Sequence, residues 1–590
     1  MIRPTPSRRE FLRELAAGSL GLGAMGSGFA RPLLGQPATL SAADPRGFTR
    51  LASGRRGVVA TVHPLASRAA IEAYQRGGNA IDAAVAASLM LAVVDGHNSG
   101  IGGGCLAIVR SADGEVRALD GREKAPRAAQ PEMFFRGGQP DPQLSQLGPL
   151  AAGVPGLLSA LERLASGHGR LSWNESLLGA AEVAENGFQL SHDYARVLAA
   201  SADKLKLFPS SAAILLDPAG RPWQAGDTLR QSDLARTLRS VAEQGVQWFY
   251  EGEFAQRVEQ FMDDTGGLLA AADFAQYQTV ERQPIRTNYR RQTVIGFPPP
   301  SSGGIHHAQM LGMLAGFDVR QIFADSTARG LHLLLEVMKR AMADRAYWLG
   351  DADFAKVPRG LLDEDYLRQR AATIDLERST PVDSHGRPPR ADVDLFGQQK
   401  HTTHLTTADS QGNVVAITQT VNTSFGCKMI VPGSGVVLNN EMDDFSIAPG
   451  VRNAFGLLGS EANLIAPGKR PLSSMSPTLV LDDTGNPMLS CGAAGGPKII
   501  TAVLQILVRQ IDLGQSLEQA LAAPRVHHQW SPDQAVCERS LDDRLVAQLE
   551  ALGHRTSRIA SAAVAQGVSL GSEGLTAAAD PRVSSAAMAL

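Results

Sequence analysis

The sequence predicts an α/β (α+β) protein, and three stretches carry the prediction. Gly57-Val-Val-Ala-Thr-Val62, apolar but for Thr61 and free of charge, reads as a buried strand. Residues 80–91 (AIDAAVAASLML), after Gly77-Gly78, consist mostly of strong helix formers. Residues 402–408 (TTHLTTA) and 413–421 (NVVAITQTV) are rich in β-branched side chains and flank Asp409-Ser-Gln-Gly-Asn413, the pattern of a hairpin. Gly412 can take the positive φ that a short loop needs. Pairing Asp409 with Asn413 sets Thr420 across from Thr402, with side chains on one face ~5 Å apart at Cβ. Between these stretches, Leu331, Leu334, Leu335, Met338 and Met342 recur at helical spacing, so one face of that helix packs on a core. Residues 377–400 hold prolines at 381, 388 and 389, several charges and few large apolar side chains, which predicts a surface connection or mobile tail.

Composition narrows the function. A chain of 590 residues allows four domains at ~150 residues each, and equally one or two large α/β domains. With 44% hydrophobic and 19% charged residues, whole-chain disorder is excluded. A net charge of −3 offers no long-range attraction to nucleic acid or anionic membrane, so neither is an expected partner. Cys105, Cys427, Cys491 and Cys537 contain no Cys-x-x-Cys and make neither a disulfide scaffold nor a zinc ribbon. They can form at most two bridges.

At the start of the chain, Ser7-Arg8-Arg9-Glu10-Phe11-Leu12 precedes an uncharged Gly/Ala-rich stretch from Leu15 to Ala30. Paired arginines before a short, weakly apolar segment form the pattern of a twin-arginine export signal. The stretch falls short of the ~20 apolar residues of a membrane span. Residues 1–38 are therefore expected to contain the signal, cut after Ala30 or Ala38, and the mature protein is expected to be periplasmic or secreted.

Three short patterns point elsewhere and fail on context. Gly21-Leu-Gly-Ala-Met-Gly26 matches a dinucleotide loop but has no strand before it. Gly567-Val-Ser-Leu-Gly571 matches an esterase elbow, yet the last histidine of the chain, His554, precedes its serine, and that order requires one after it. His306-His307 and His527-His528 lack the spacing of a zinc site and are expected in the core or at the surface. No metal or organic cofactor is expected.

A threonine hydroxyl becomes a nucleophile when a base takes its proton, and its own α-amino group, with an unperturbed pKa of roughly 7.7 to 8.0, suits that task. The threonine must then begin a chain. A cut between His401 and Thr402 would free such an amine at the start of the Thr-Thr-His strand.

The surrounding text supports this. Thr402-Thr-His404, Thr420-x-Asn422, residues 438–446 (LNNEMDDFS), residues 470–477 (RPLSSMSP) and Gly495-Gly496 occur in order. Upstream stand residues 63–67 (HPLAS), 77–84 (GGNAIDAA), 101–104 (IGGG), 153–156 (GVPG), 298–304 (PPPSSGG) and 339–345 (KRAMADR), and downstream 527–530 (HHQW) and 580–582 (DPR). Together they resemble the γ-glutamyltranspeptidase (γ-glutamyltransferase) family over nearly all the chain after the signal. The resemblance implies a four-layer αββα sandwich of the N-terminal-nucleophile hydrolase type. It also implies autocatalytic cleavage into a large subunit, 39–401, and a small catalytic subunit, 402–590, intertwined in one domain.

Carried over position by position, the resemblance makes Thr402 the nucleophile of both processing and catalysis, with Thr420 supporting its hydroxyl. Gly495 and Gly496 would form the oxyanion hole. Arg122, with Ser473 and Ser474, would hold the α-carboxylate of a γ-glutamyl group. Asn422, Glu441 and Asp444 would hold its α-ammonium. The implied donor is glutathione, and the acceptor is water, an amino acid or a peptide. Cephalosporin (glutaryl) acylases share the fold and are the alternative. Residues 448–456 (APGVRNAFG) resemble the family's lid, with Phe455 where relatives often carry tyrosine.

Overall fold

The computed structural model describes residues 49–389 and 403–590. The proposed signal, Gly21–Gly26, His401 and Thr402 lie outside them. Fourteen strands build two seven-stranded sheets among the described residues. In chain order they are β1 (Leu51–Gly54), β2 (Gly57–Thr61), β3 (Gly104–Arg110), β4 (Val116–Gly121), β5 (Val280–Arg282), β6 (Ile285–Tyr289) and β7 (Gln292–Gly296). They continue with β8 (Thr403–Asp409), β9 (Val414–Thr420), β10 (Thr478–Leu481), β11 (Pro487–Ala494), β12 (Val564–Gly571), β13 (Gly574–Ala579) and β14 (Ala586–Ala589). One sheet runs β14-β2-β8-β9-β3-β4-β5 and the other β1-β13-β12-β11-β10-β7-β6, with every neighbouring pair antiparallel.

Side-chain alternation makes the layers. Val58, Ala60, Leu106 and Ile108 face the second sheet, where they meet Ile295, Leu479 and Val568. Their neighbours Val59, Cys105, Ala107 and Val109 face the other way, against helices α1 (Pro64–Gln75) and α2 (Ala80–Val94). On the far side of the second sheet, Val480, Leu489 and Cys491 pack on α3 (Gly303–Leu314), α4 (Thr327–Trp348) and α5 (Lys498–Ile511). The result is four layers, αββα. Strands covered on both faces read as continuous apolar runs, which is why 57–62 shows no polar alternation.

Helix α2 starts at a reciprocal cap. The Asn79 side chain accepts from Ile81 N and Asp82 N, and the Asp82 carboxylate accepts from Asn79 N at 2.8 Å. The expected register of the hairpin holds from Thr403↔Gln419 to Ala408↔Val414, and Asp409 N donates to Asn413 O at 3.0 Å. Gly412 has φ 83°. Both sheets mix strands from before and after residue 402.

Of the two expectations for residues 377–400, the surface connection describes 379–386, which lie at the surface tied to helix α4. Lys339 Nζ donates to Ser379 Oγ and Thr380 O, Gly386 N donates to Asp344 Oδ1, and Trp348 Nε1 donates to Gly386 O. Lys339, Arg340 and Glu336 are buried on α4 and need polar partners, and this proline-rich segment supplies them. Residues 390–400 of the same stretch lie outside the described residues. All four cysteines are buried and unpaired. Gly567–Gly571 sits within strand β12, with no strand-to-helix elbow.

Candidate active site

Strand β4 ends at Gly121 and delivers Arg122 into the interior. Asp120 fixes it there: its carboxylate accepts from Arg122 N (2.9 Å), Arg470 Nη1 (2.7 Å) and Arg282 Nε (2.7 Å). Tyr277 Oη donates to Arg122 O at 2.7 Å. Opposite, Glu441–Asp444 form one 3₁₀ turn. Asn439 positions that turn, accepting from Glu441 N and Gly153 N and donating to Gly102 O and Gly153 O. One amide side chain thus joins three separate glycine- and asparagine-containing segments.

The Arg122 guanidinium meets Glu441 through Nη1, which also lies 3.3 Å from Glu123, and Asp444 Oδ2 through Nη2 at 2.7 Å. Arg122, Glu123 and Glu441 are fully buried. Burial raises the pKa of both glutamates; Arg122 opposes this rise, whereas the neighbouring carboxylates reinforce it. Burial also lowers Arg122, but Glu441, Glu123 and Asp444 outweigh it and hold the guanidinium charged. Arg345, the other nearby cation, is pushed down to about 9 by burial, which Asp444 partly offsets. Three carboxylates therefore face two guanidiniums. Among the described residues no donor reaches Glu123 Oε1, Glu441 Oε2 or Asn422 Oδ1, and Ser474 Oγ has no partner. Buried polar atoms in this condition call for a partner, which a bound polar ligand would supply.

Ser473 and Ser474 lie beside this cluster, since Arg122 Nε donates to Pro471 O at 3.3 Å. Ser473 Oγ accepts from Met475 N and keeps its own proton to donate. Asn422 joins from the other side, donating from Nδ2 to Asn440 O at 2.7 Å. Its φ of 75° lies in the left-handed region, which asparagine tolerates better than most residues. Asn422 N donates to Thr420 Oγ1 at 2.6 Å. A Cβ on Gly103 would stand 1.8 Å from Thr420 O, so only glycine lets the chain entering β3 pass that close.

Asn422 also lines a cavity of about 430 Å³ together with Gly495, Gly496, Phe455, Thr403 and Lys498. Gly495 and Gly496 have φ 141° and 69°, turning the chain between β11 and α5, and neither N–H donates to a described residue. The sequence-predicted residues thus fall into two contiguous groups. Arg122, Glu441, Asp444, Ser473 and Ser474 form the dry cluster, Gly495 and Gly496 border the cavity, and Asn422 reaches both.

Sequence reasoning missed the opposite wall: Asp95, His97, Asn98 and Tyr194. Its signal was the polar run Asp95-Gly-His-Asn98 closing an otherwise apolar helix. Thr403 Oγ1 donates to Asp95 Oδ2, and Asn98 Nδ2 donates to Asp95 Oδ1 at 3.0 Å. Burial pushes Asp95 up to about 7 against those two bonds. Burial pushes His97 down to about 3, with smaller contributions from His63 and Arg196, so its ring is neutral.

The histidine pairs are buried and bonded to protein groups: His306 to Gln309, His307 to Ile500 O, His527 to Thr501 and His528 to Asp533. A different trio, His332, Glu336 and His554, converges within 4.8 Å. Lys339 and Arg340 already neutralise Glu336, and the two imidazoles bond each other at 2.7 Å, so this is a satisfied network.

Paired antiparallel sheets between helical layers are the architecture of the N-terminal-nucleophile hydrolases. A family model described as gamma-glutamyltranspeptidase matches residues 66–590. The glutathione hydrolase proenzyme of Escherichia coli (strain K12) is 38% identical over 593 residues, covering 99% of this chain and 98% of the relative. An Acylase ACY 1 proenzyme of Pseudomonas sp. (strain SE83) is also 38% identical, covering 86% and 88%. Among solved structures, cephalosporin acylase from Bacillus halodurans superposes with TM-score 0.82 at 26% identity, over 95% of this chain and 99% of that one. Helicobacter pylori gamma-glutamyltranspeptidase gives 0.53 at 37% identity, over 54% and 92%. The chain belongs to the γ-glutamyltranspeptidase family.

Proposed function

We propose that this chain is a γ-glutamyltransferase and glutathione hydrolase, made as a proenzyme that cuts itself between His401 and Thr402. The observation that carries this reading is the charge imbalance around Arg122. Three carboxyl groups outnumber the two guanidiniums in a dry site, and burial keeps Glu441 and Glu123 above the ordinary carboxylate range, so the cluster holds a proton it can release to present a negative charge to the α-ammonium of a γ-glutamyl group. Ser473 and Ser474 offer hydroxyl protons to its α-carboxylate, with Arg122 behind them. A glutaryl group has the carboxylate but no ammonium, and would gain nothing from that carboxyl cluster. This favours γ-glutamyl donors over the acylase alternative.

In the proposed mechanism the freed amine of Thr402 takes the proton from its own hydroxyl, which attacks the γ-amide carbonyl. Gly495 and Gly496 N–H groups hold the developing oxyanion, a contribution of ~3 kcal/mol per donor in comparable sites. The leaving nitrogen takes that proton back from the Thr402 ammonium and departs as an amine, and water or an acceptor amine, deprotonated in turn by the Thr402 amine, resolves the γ-glutamyl ester. Thr420 orders the start of the site through Asn422. The two fragments, 39–401 and 402–590, would stay together because each sheet contains strands of both. Export through the twin-arginine pattern would place the mature enzyme in the periplasm or outside the cell.

N-terminal sequencing of the small fragment tests the assignment. Thr-Thr-His-Leu is the expected start, and Thr402→Ala should remain one chain without γ-glutamyl amide turnover. A fully active uncut chain, or a fragment starting elsewhere, would overturn the proposal.

A further inference from the structure

The cavity wall beside the two glycines carries a cation that the mechanism above does not use. Lys498 opens helix α5 two residues after Gly496, and the first turn of that helix contains no acidic residue. Burial alone pulls its ammonium below the ordinary lysine value; no neighbouring charge offsets it. The carboxylates that share the cavity are committed elsewhere: Asp95 to Thr403 and Asn98, and Asp193 to Arg196 at 3.3 Å. The adjacent ring, His527, is held neutral by burial and by Lys498 itself, and is bonded to Thr501. A half-buried, uncompensated ammonium in the wall of a cavity is suited to meeting an anion from outside the protein.

The position indicates which anion. If the scissile carbonyl sits at Gly495 and Gly496, the amine portion of the substrate extends into the cavity that Lys498 lines with Phe455, Val583 and Ser584. When that portion is an amino acid or dipeptide, it ends in a carboxylate at most roughly 7 Å of extended chain from the scissile nitrogen. We infer that Lys498 pairs with this terminal carboxylate, selecting γ-glutamyl amides of amino acids and short peptides over those of neutral amines. The inference rests on the γ-glutamyl reading above and adds to it the chemistry of the leaving group.

Glutathione and its C-terminal carboxamide differ only in that carboxylate and provide the test on the processed enzyme. The acid is expected to exceed the amide about tenfold in kcat/KM. Lys498→Met should bring the ratio close to one, Lys498→Arg should retain most of the preference, and Lys498→Glu should invert it. A wild-type ratio below twofold overturns the inference without any variant, as does a ratio that Lys498→Met leaves unchanged. Turnover of neither compound by the wild type would instead refute the γ-glutamyl reading, so the two failures are distinguishable.

Discussion

The two halves of the site are built on opposite principles. Around Arg122 the charged groups are sealed from solvent and Arg122 is bonded to Glu441 and Asp444, with Asp120, Tyr277 and Asn439 holding the backbone in place. Such a cluster is rigid before any ligand arrives, and it discriminates by charge count. Across Asn422 the cavity is open, of mixed polarity, and bordered by a loop without regular structure whose Phe455 forms part of the wall. The first half is suited to recognising one fixed group, the second to accepting many amines. The cost of changing a residue should therefore be steep in the cluster and shallow in the cavity.

Asp444→Asn should have the largest effect. It keeps the shape and removes the carboxylate paired with Arg122 Nη2, so kcat/KM for a γ-glutamyl anilide should fall about a hundredfold, the ~3 kcal/mol typical of a buried charged pair losing one partner. Activity on a glutaryl anilide, which has no ammonium, should change by less than a factor of about five. Equal losses on both substrates would mean that the cluster does not distinguish them by charge, and the contrast between the two halves would break.

A subtler effect concerns protons. Burial pushes Glu123 up to about 7, and Glu441 is raised with it. Glu441 still holds a proton at neutral pH and below about 7 Glu123 takes up another, so the cluster has less negative charge to offer an ammonium and the affinity for L-glutamate should weaken as pH falls through 7. Titration calorimetry in buffers of different ionisation enthalpy should detect proton release on binding near that pH. Glu123→Gln removes that titrating carboxyl and should abolish the midpoint near 7. An unmoved midpoint would place the titrating group elsewhere.

The same contrast explains what could be read in advance. Strand β2, helix α2 and the hairpin register are visible because burial on both faces, alanine-rich composition and a Gly-containing loop are local signals. Arg122, Glu441 and Asp444 stand in recognisable strings because each string also does structural work: Asp120 and Arg470 clamp Arg122, and Asn439 clamps the turn carrying Glu441. Asp95 and Lys498 carried no such mark. One ends a helix and the other begins one, and what distinguishes them is a cavity formed by segments some four hundred residues apart. The tethering of residues 379–386 was likewise invisible, because composition alone does not reveal that Lys339 and Arg340 are buried and need partners.

The smallest expected effect lies at the loop. Asn453 Oδ1 accepts from Phe455 N and Leu457 N, and its Nδ2 lies 3.5 Å from Asp444, so the loop touches the donor cluster as well as the cavity. Arg452 anchors it from outside, donating to Ser531 O and Oγ. With those anchors in place, Phe455→Tyr should leave the backbone unmoved and add one hydroxyl to the wall facing the glycines. A single new hydrogen bond of about 1 kcal/mol corresponds to roughly a fivefold change. Because it would hold the loop closed against water, transfer to glycylglycine should rise relative to hydrolysis by about that factor, with kcat/KM for the donor unchanged. A shift in donor kcat/KM instead, with partitioning constant, would mean that the loop serves the rigid half of the site.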